Sequence, residues 1–455
     1  MKRTENGIDK IGTRCKRRGR ELMRVLILTV GGSDAPIVSC IKNYRPDRVV
    51  FLCTEDEDGN KGSRAMVDGD AIISEGRECK ICRYKDVEKR ENIVKQCNLN
   101  AADYEIYAVP HDDPNKSYEI AFKLIKNSLG DGHDVTVDYT GGTKSMSVGL
   151  AVAAMEFPQC NLSVVKGKRQ DLIRVRDGME RVSRLPSYTV FAQRQERLCR
   201  DLIREWNYTA AVQILEEMSR SGFVSNEKEF DRLLILCRGF AAWDKFDYQS
   251  AVEKISIYKE DPIIAGYNST LKQICAALDW YEKWSPNNRK APPVFVLVYD
   301  VLLNAERRAC QGNYDDAVSR IYRAVEMYGQ LCLRTGTPSL TSENIDVSLL
   351  PEQYSEHYEK KRASNGKIQI GLTDDYELLA ILGHPVKQVW ESRRERILNI
   401  LNKRNYSFLA HGMETVSERD YLEVKETVWS FISDCDQAMK LQKGLAEYVQ
   451  LPREL

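Results

Sequence analysis

The chain has 455 residues, too many for one ordinary domain and enough for two or three. Its 42% hydrophobic and 29% charged residues, with only 14 Pro and 27 Gly, exclude collagen-like, low-complexity and wholly disordered classes. The 67 basic residues are balanced by 67 acidic ones, so the chain is not a bulk polycation, and any nucleic-acid contact must come from a local patch.

Residues 1–22 are expected to form a basic extension without structure of its own. Over residues 1–20, Lys2, Arg3, Lys10, Arg14, Lys16, Arg17, Arg18 and Arg20 face only Glu5 and Asp9. The stretch has no apolar h-region and does not read as a signal peptide. An upstream start before Met23, or a nucleic-acid-binding arm, are the other readings.

From Val25 to about Val175, short β-branched runs alternate with amphipathic stretches. Strands are predicted over Val25–Val30, Arg48–Cys53, Tyr104–Val109, Asp134–Asp138, Asn161–Val165 and Asp171–Val175. Helices are predicted over Ala35–Tyr44, Lys61–Glu75, Lys116–Leu129 and Lys144–Phe157. Near-continuous apolar strands separated by helices imply a parallel sheet covered on both faces, that is, an α/β Rossmann-like domain.

Past Leu185-Pro186 the period becomes almost entirely helical, so the second half is expected to be all-α. Helices are predicted over Ala210–Met218, Glu229–Trp243, Ser250–Tyr258, Ser269–Trp284, Val294–Gln311, Asn313–Arg334, Asp374–Leu382, Val386–Leu409 and Glu418–Tyr448. Thr335–Gly371, rich in Ser, Asn and charge, reads as a long loop or insertion. No apolar run approaches the roughly 18 residues of a membrane helix, so no membrane contact is expected. Thirteen scattered cysteines, an odd number without an export signal, read as reduced thiols of a cytoplasmic protein. Cys79-Lys80-Ile81-Cys82 lacks the second ligand pair of a zinc site, and no metal is expected.

Three constellations bear on chemistry. Gly31-Gly32-Ser33 follows the first strand, and Thr140-Gly141-Gly142-Thr143-Lys144-Ser145 joins a later strand to its helix. Both fall at carboxyl ends of parallel strands, where doubly wound sheets bind ligands. Glycines let backbone approach closely, helix-start amides face anions, and Lys144 adds a positive charge. The residues match neither a Walker loop nor G-x-G-x-x-G. A phosphate-bearing ligand is the expectation, with tight ligand-free turns as the alternative. Third, Arg404 and His411 are separated by seven residues. On a continuous helix they would fall about 20° apart on one face, able to reach one phosphodiester. Arginine binds and stabilises charge, histidine exchanges protons near neutrality, and Asn405 can orient either. Arg393, Arg394, Arg396 and Lys403 make the preceding helix locally basic, which suits a phosphate backbone or an ordinary solvated face. Asp56-Glu57-Asp58, the one carboxylate cluster of metal-nuclease type, reads as a solvated loop.

In combination these features resemble the CARF–HEPN ribonucleases that accompany type III CRISPR systems. Val137–Ser147 is similar to the sensor loop of their Rossmann-like CARF domain. Arg404-Asn405 through Ala410-His411 is similar to the catalytic Arg-x4-6-His of their HEPN domain. Asn313–Arg334, with Tyr322-Arg323-Ala324-Val325-Glu326, is similar to an inward-facing HEPN helix. The resemblance implies a sensor domain over 23–185, a helical linker region over 186–290 and a HEPN ribonuclease domain over 291–455. It also implies a homodimer that binds a cyclic oligoadenylate activator. Such a dimer cleaves single-stranded RNA without metal, by attack of the 2′-OH to leave a 2′,3′-cyclic phosphate. Arg404, Asn405 and His411 would then be catalytic, and Gly31, Gly32, Ser33, Gly141, Gly142, Thr143 and Lys144 would bind the ligand. Two other readings stand beside it. One is a non-enzymatic nucleotide sensor that signals to a partner; the other is a toxin-type HEPN ribonuclease that answers to another nucleotide.

Overall fold

The computed structural model describes residues 16–17, 20–54, 56, 62–69, 72–73, 89–166, 169–170, 174–175, 181–185, 188–222, 226–286, 291–407 and 412–455. The chain divides into two compact units, Met1–Gln195 with Met218–Ser225, and Glu196–Glu217 with Asn226–Leu455.

The first unit is built on strands β1 (Arg24–Thr29), β2 (Arg48–Thr54), β3 (Tyr104–Val109), β4 (Asp134–Asp138), β5 (Asn161–Lys166) and β6 (Arg181–Leu185). They lie side by side in the order 3-2-1-4-5-6. The first five pair in parallel, while β6 runs antiparallel to β5. Alternation along β1 explains the two-faced burial. Val25 and Ile27 point into one core with Ala121, Ile125, Leu150 and Ala153. Leu26 and Leu28 point into the other with Ile37, Val38 and Ile41. Helices α2 (Pro114–Gly130) and α3 (Lys144–Met155) therefore cover one face, and α1 (Ala35–Tyr44) covers the other. In this order the chain reverses its direction of travel across the sheet between β1 and β4, the point at which such sheets bind ligands.

Two expectations fail in this unit. The helix expected over Lys61–Glu75 shrinks to Ala65–Asp68, and Ile72–Ile73 pairs with Lys89–Arg90 instead. Gly69 ends the helix: it is extended, and a Cβ there would stand 2.5 Å from the Ala65 carbonyl oxygen. Within the strand expected over Asp171–Val175, residues 171–173 lie outside the described residues, and Arg174–Val175 pairs in a small hairpin with Arg169–Gln170 outside the main sheet. The sixth strand is Arg181–Leu185, whose charged residues suit a sheet edge and hide it from a search for apolar runs.

Among the described residues that follow, the main elements are helices: α4 (Tyr188–Arg204), α5 (Tyr208–Ser221), α6 (Glu227–Asp244), α7 (Tyr248–Ile255), α8 (Pro262–Glu282), α9 (Val296–Cys310), α10 (Tyr314–Thr335), α11 (Glu352–Glu359), α12 (Leu372–Ile381), α13 (Lys387–Tyr406) and α14 (Glu418–Ala438). In the second unit α9 is buried on nearly every side, so its polar residues must find partners inside. Asp300 accepts from Trp243 Nε1 (2.9 Å) and Tyr248 OH (2.8 Å). Arg307, fully buried, donates to Asp244 Oδ1 (2.7 Å) and to Gln450 Oε1 (2.5 Å). Tyr299 of α9 and Tyr328 of α10 both donate to Asp436 of α14, at 2.8 and 3.0 Å. The segment after α14 is stitched in as well. Trp206 Nε1 donates to the Leu451 carbonyl (2.7 Å), Tyr267 OH to that of Gln450 (3.2 Å), and Gln450 Nε2 to that of Leu303 (2.8 Å).

Thr335–Gly371, expected as a long loop or insertion, is irregular over most of its length but packed. It contains α11, and Leu340, Ile345, Leu350, Tyr358 and Ile368 are buried. Ser342 Oγ donates to Asp375 Oδ1 of α12 at 2.6 Å, and Lys361 pairs with Asp374 at 2.5 Å. The apolar residues are spaced too irregularly to show a period, which is why the segment resembles a loop in sequence.

Burial pushes the Asp375 carboxyl up to about 7, with Glu326 and Asp374 adding to the rise and the Ser342 hydrogen bond opposing it. A carboxyl whose folded pKa exceeds its unfolded value binds more protons when folded, so its contribution to stability falls as pH rises from about 4 to about 7. Asp375→Asn should therefore melt higher than the native protein at pH 8, with the difference shrinking toward pH 4. Thermal melts of both proteins across that range check this, and a difference independent of pH would locate the effect elsewhere.

Candidate functional site

At the reversal point the two glycine loops touch. Thr29, the buried last residue of β1, donates from Oγ1 to the Gly141 carbonyl at 2.6 Å. A Cβ on Gly31 would stand 2.7 Å from the Gly142 nitrogen, and one on Gly141 would stand 2.3 Å from the Thr29 carbonyl oxygen. Gly142 also has φ +82°, in the left-handed region that disfavours a side chain. Glycine is thus required on both sides of the contact. Gly32, by contrast, is exposed and has open space around it, as Ser33 beside it is exposed.

The second loop is held from beneath. Asp138, buried at the end of β4, accepts from the Thr140 amide (3.0 Å) and from Ser163 Oγ (2.7 Å). Thr140 Oγ1 in turn accepts from the Val165 amide at 2.8 Å. Burial and the nearby Asp138 carboxylate push the Cys40 thiol pKa well up, so it is an inert core group. Thr143 caps α3: its Oγ1 accepts from the Met146 amide (3.2 Å) and donates to the His111 carbonyl (2.6 Å). Lys144 is the first residue of α3 and is exposed, with no ion pair among the described residues. The structure thus brings together Gly31, Gly32, Ser33, Gly141, Gly142, Thr143 and Lys144 on one edge of the sheet, with a helix start and a free ammonium facing outward. Separately, a cavity of about 620 Å³ opens near the ends of β2 and β3, lined by Thr54, Asp56, Arg64, Asp68, Ile106 and Ala108 among others. Sequence reasoning missed Thr29 and Asp138. The available signal was a hydroxyl and a carboxylate closing two otherwise apolar strands directly before glycine-bearing loops.

In the second unit Arg404 and Asn405 lie in the last turn of α13, and His411 lies outside the described residues. The expectation of one helix through Leu409 is corrected, while the common face expected for Arg404 and His411 lies outside the described residues. The helix ends at Tyr406, whose carbonyl accepts from the Glu414 amide (3.0 Å) instead of from the next helical turn. Ser407 forms a parallel bridge with Glu414, and the Gly412 amide donates to the Ser407 carbonyl at 3.2 Å. The backbone at Gly412 and Glu414 is thus bonded to the end of the helix that carries Arg404. α10 does face inward, burying Ala317, Val318, Ile321, Ala324, Val325 and Tyr328.

The local basic patch is largely neutralised. Arg393 pairs with Asp434, Arg394 with Glu377, and Lys403 with Asp420 and Glu423, leaving Arg396 without an ion pair among the described residues. Cys79 and Cys82 lie outside the described residues, among which no group of three or more His, Cys, Asp or Glu is placed to hold a metal ion. No described helix is long and apolar enough to cross a membrane.

Comparison with known proteins adds three findings. Residues 191–279 match the family model of the Csm6 6H domain, and residues 286–434 match that of the Csm6 HEPN domain. Among solved structures, Enterococcus italicus Csm6 bound to cyclic hexa-2′-fluoro-hexa-dAMP matches with a TM-score of 0.54 and 14% sequence identity, over 91% of this chain and 95% of that one. At that identity the likeness concerns the fold. No curated protein matches the chain in sequence.

The contact between the loops makes a prediction. Gly142→Ala combines a strained φ with a Cβ 2.8 Å from that of Thr29 and should cost about 1–3 kcal/mol of stability. Gly32→Ala should stay within about 0.5 kcal/mol of the native protein. Denaturant unfolding of the two variants checks the contrast.

Proposed function

The chain belongs to the CARF–HEPN proteins of the Csm6 type, and from that membership we propose that it is a cyclic oligoadenylate-activated, metal-independent endoribonuclease of CRISPR antiviral defence. It would act in the cytoplasm, as a homodimer, on single-stranded RNA. The proposed division is a sensor domain over 23–185, a helical region over 186–290 and the nuclease over 291–455. One observation carries the reading. A HEPN-family helix whose last turn carries Arg404-Asn405 shares the chain with an α/β unit whose ligand-type edge presents a helix start and Lys144.

At the sensor edge, Gly31 and Gly142 let the two loops close against each other, and the amides opening α3 face a phosphate with Lys144 beside them. Gly32, Ser33, Gly141 and Thr143 complete the loops. In the nuclease, the RNA 2′-oxygen attacks the adjacent phosphorus and the bond to the 5′-oxygen breaks. A neutral imidazole of His411 takes the 2′-OH proton, and an imidazolium returns one to the leaving 5′-oxygen. The products are a 2′,3′-cyclic phosphate and a 5′-OH. Arg404 stabilises the charge on the phosphoryl oxygens, and Asn405 supports its orientation. Activator binding acts by shifting the population of active dimers.

Labelled RNA incubated with the protein, with and without cyclic oligoadenylates of different ring size, tests the proposal. Cleavage only with activator is expected. Constitutive cleavage would favour the toxin-type reading, and no cleavage the non-enzymatic sensor. Arg404→Ala and His411→Ala should each abolish most cleavage at saturating activator while ligand binding persists. EDTA should have little effect, and products bearing a 5′-phosphate would rule out the mechanism. Loss of a charge-assisted hydrogen bond costs on the order of 1.5–3 kcal/mol, and a twofold-symmetric ligand loses it twice. Lys144→Ala should therefore shift the activation midpoint by roughly two to four orders of magnitude, with the plateau preserved.

A further inference from the structure

This inference rests on the ribonuclease reading and concerns what fastens the segment between α13 and α14. At its start, the Gly412 and Glu414 amides are bonded to Ser407 and Tyr406. Its far end is held by side chains. Lys403, the residue before Arg404, places Nζ 2.7 Å from Asp420 Oδ1 and 2.7 Å from Glu423 Oε2 on α14. Asp420 Oδ2 accepts from the Ser417 amide (3.3 Å) while Ser417 Oγ accepts from the Asp420 amide (3.2 Å), closing a capping box at the start of α14, and the Ser417 hydroxyl also donates to Asp420 Oδ2 at 2.5 Å. Lys403, first, and then Ser417 hold the Asp420 carboxyl down to about 2, so the carboxylate stays charged at any working pH. From the opposite side, Asp315 in the first turn of α10 accepts from the Val416 amide through Oδ2 at 3.2 Å. Its Oδ1 is buried without a hydrogen-bond partner among the described residues. Three helices thus converge on residues 416–420.

We propose that Lys403 and Asp315 are positioning residues of the ribonuclease, tying the last turn of α13, which carries Arg404, and the first turn of α10 to the start of α14. Sequence alone would make Lys403 a phosphate contact. Its ammonium is instead engaged by two carboxylates, and its side chain is 31% exposed. Partly exposed ion pairs add little to stability, so the consequence of breaking this one falls on geometry. A misplacement of about 1 Å at a reacting group lowers rates on the order of 100-fold.

The test uses the full-length protein at saturating activator, with cleavage rate, KM for RNA and melting temperature measured together. Lys403→Met should lower the maximal rate roughly 10- to 100-fold, with KM and the activation midpoint unchanged, and Lys403→Arg should recover most of the rate. Asp420→Asn should also slow cleavage, although it removes a negative charge. Asp315→Ala should behave like Lys403→Met, and Asp315→Asn should rescue it, since the amide oxygen still accepts from Val416. A direct RNA contact predicts otherwise: a raised KM for Lys403→Met, a salt slope shallower by about one, and tighter RNA binding by Asp420→Asn. That pattern, or native rates in Lys403→Met and Asp315→Ala, would overturn the proposal. If Lys403→Met does not fold, the Asp315 pair decides. Arg404→Ala runs beside them, because full activity there would remove the ribonuclease reading itself and not only the role of Lys403 and Asp315.

Discussion

Strands β1 and β4 lie next to each other in register, and the loops that leave them have no room for a side chain between them. The Thr29 hydroxyl reaches the Gly141 carbonyl, and Gly31 backs onto Gly142. That contact sets the geometry of the whole ligand edge. It fixes where α3 begins and therefore where its unpaired amides and Lys144 project, while the Asp138, Ser163 and Thr140 hydrogen bonds hold the floor beneath. A site made of backbone needs such rigidity, because it has few side chains with which to adapt.

The same economy explains what could be read without coordinates. Tyr104–Val109, Asp134–Asp138 and Ala35–Tyr44 were legible to the residue: Asp134–Asp138 is an apolar run buried on both faces, Tyr104–Val109 is a β-branched and aromatic run stopped by Pro110, and Ala35–Tyr44 is an amphipathic helix opened by Pro36. Arg181–Leu185 was not legible, because its place in the sheet comes from pairing with β5 and not from its own composition. The packed segment before α12 was hidden for a related reason. Its apolar residues, such as Leu340, Ile345 and Ile368, fill gaps between other elements and owe nothing to a helical or strand period.

The candidate sites divide along the same line. The glycine loops are local features whose spacing survives in the sequence, so their residues could be named in advance. The relation of Arg404 to the segment after α13 depends on tertiary contacts, since helical arithmetic fails once Tyr406 turns its carbonyl to Glu414. The basic residues show the converse error. Arg393, Arg394 and Lys403 look like a phosphate-binding stripe until Asp434, Glu377 and Asp420, distant in sequence, are placed opposite them.

The stitching of Gln450 into the helical unit has a consequence for how the protein is made. Arg307 lies 143 residues before Gln450, and Trp206 lies 245 before Leu451. At about 5–20 residues per second, a ribosome delivers Gln450 some 7–30 s after Arg307. Throughout that interval a guanidinium destined for the interior lacks one of its acceptors, and the indole of Trp206 has no carbonyl to meet. The nascent α9 must therefore wait, partly solvated, for the strand of chain that closes over it. That waiting intermediate is the state on which chaperones and proteases would act.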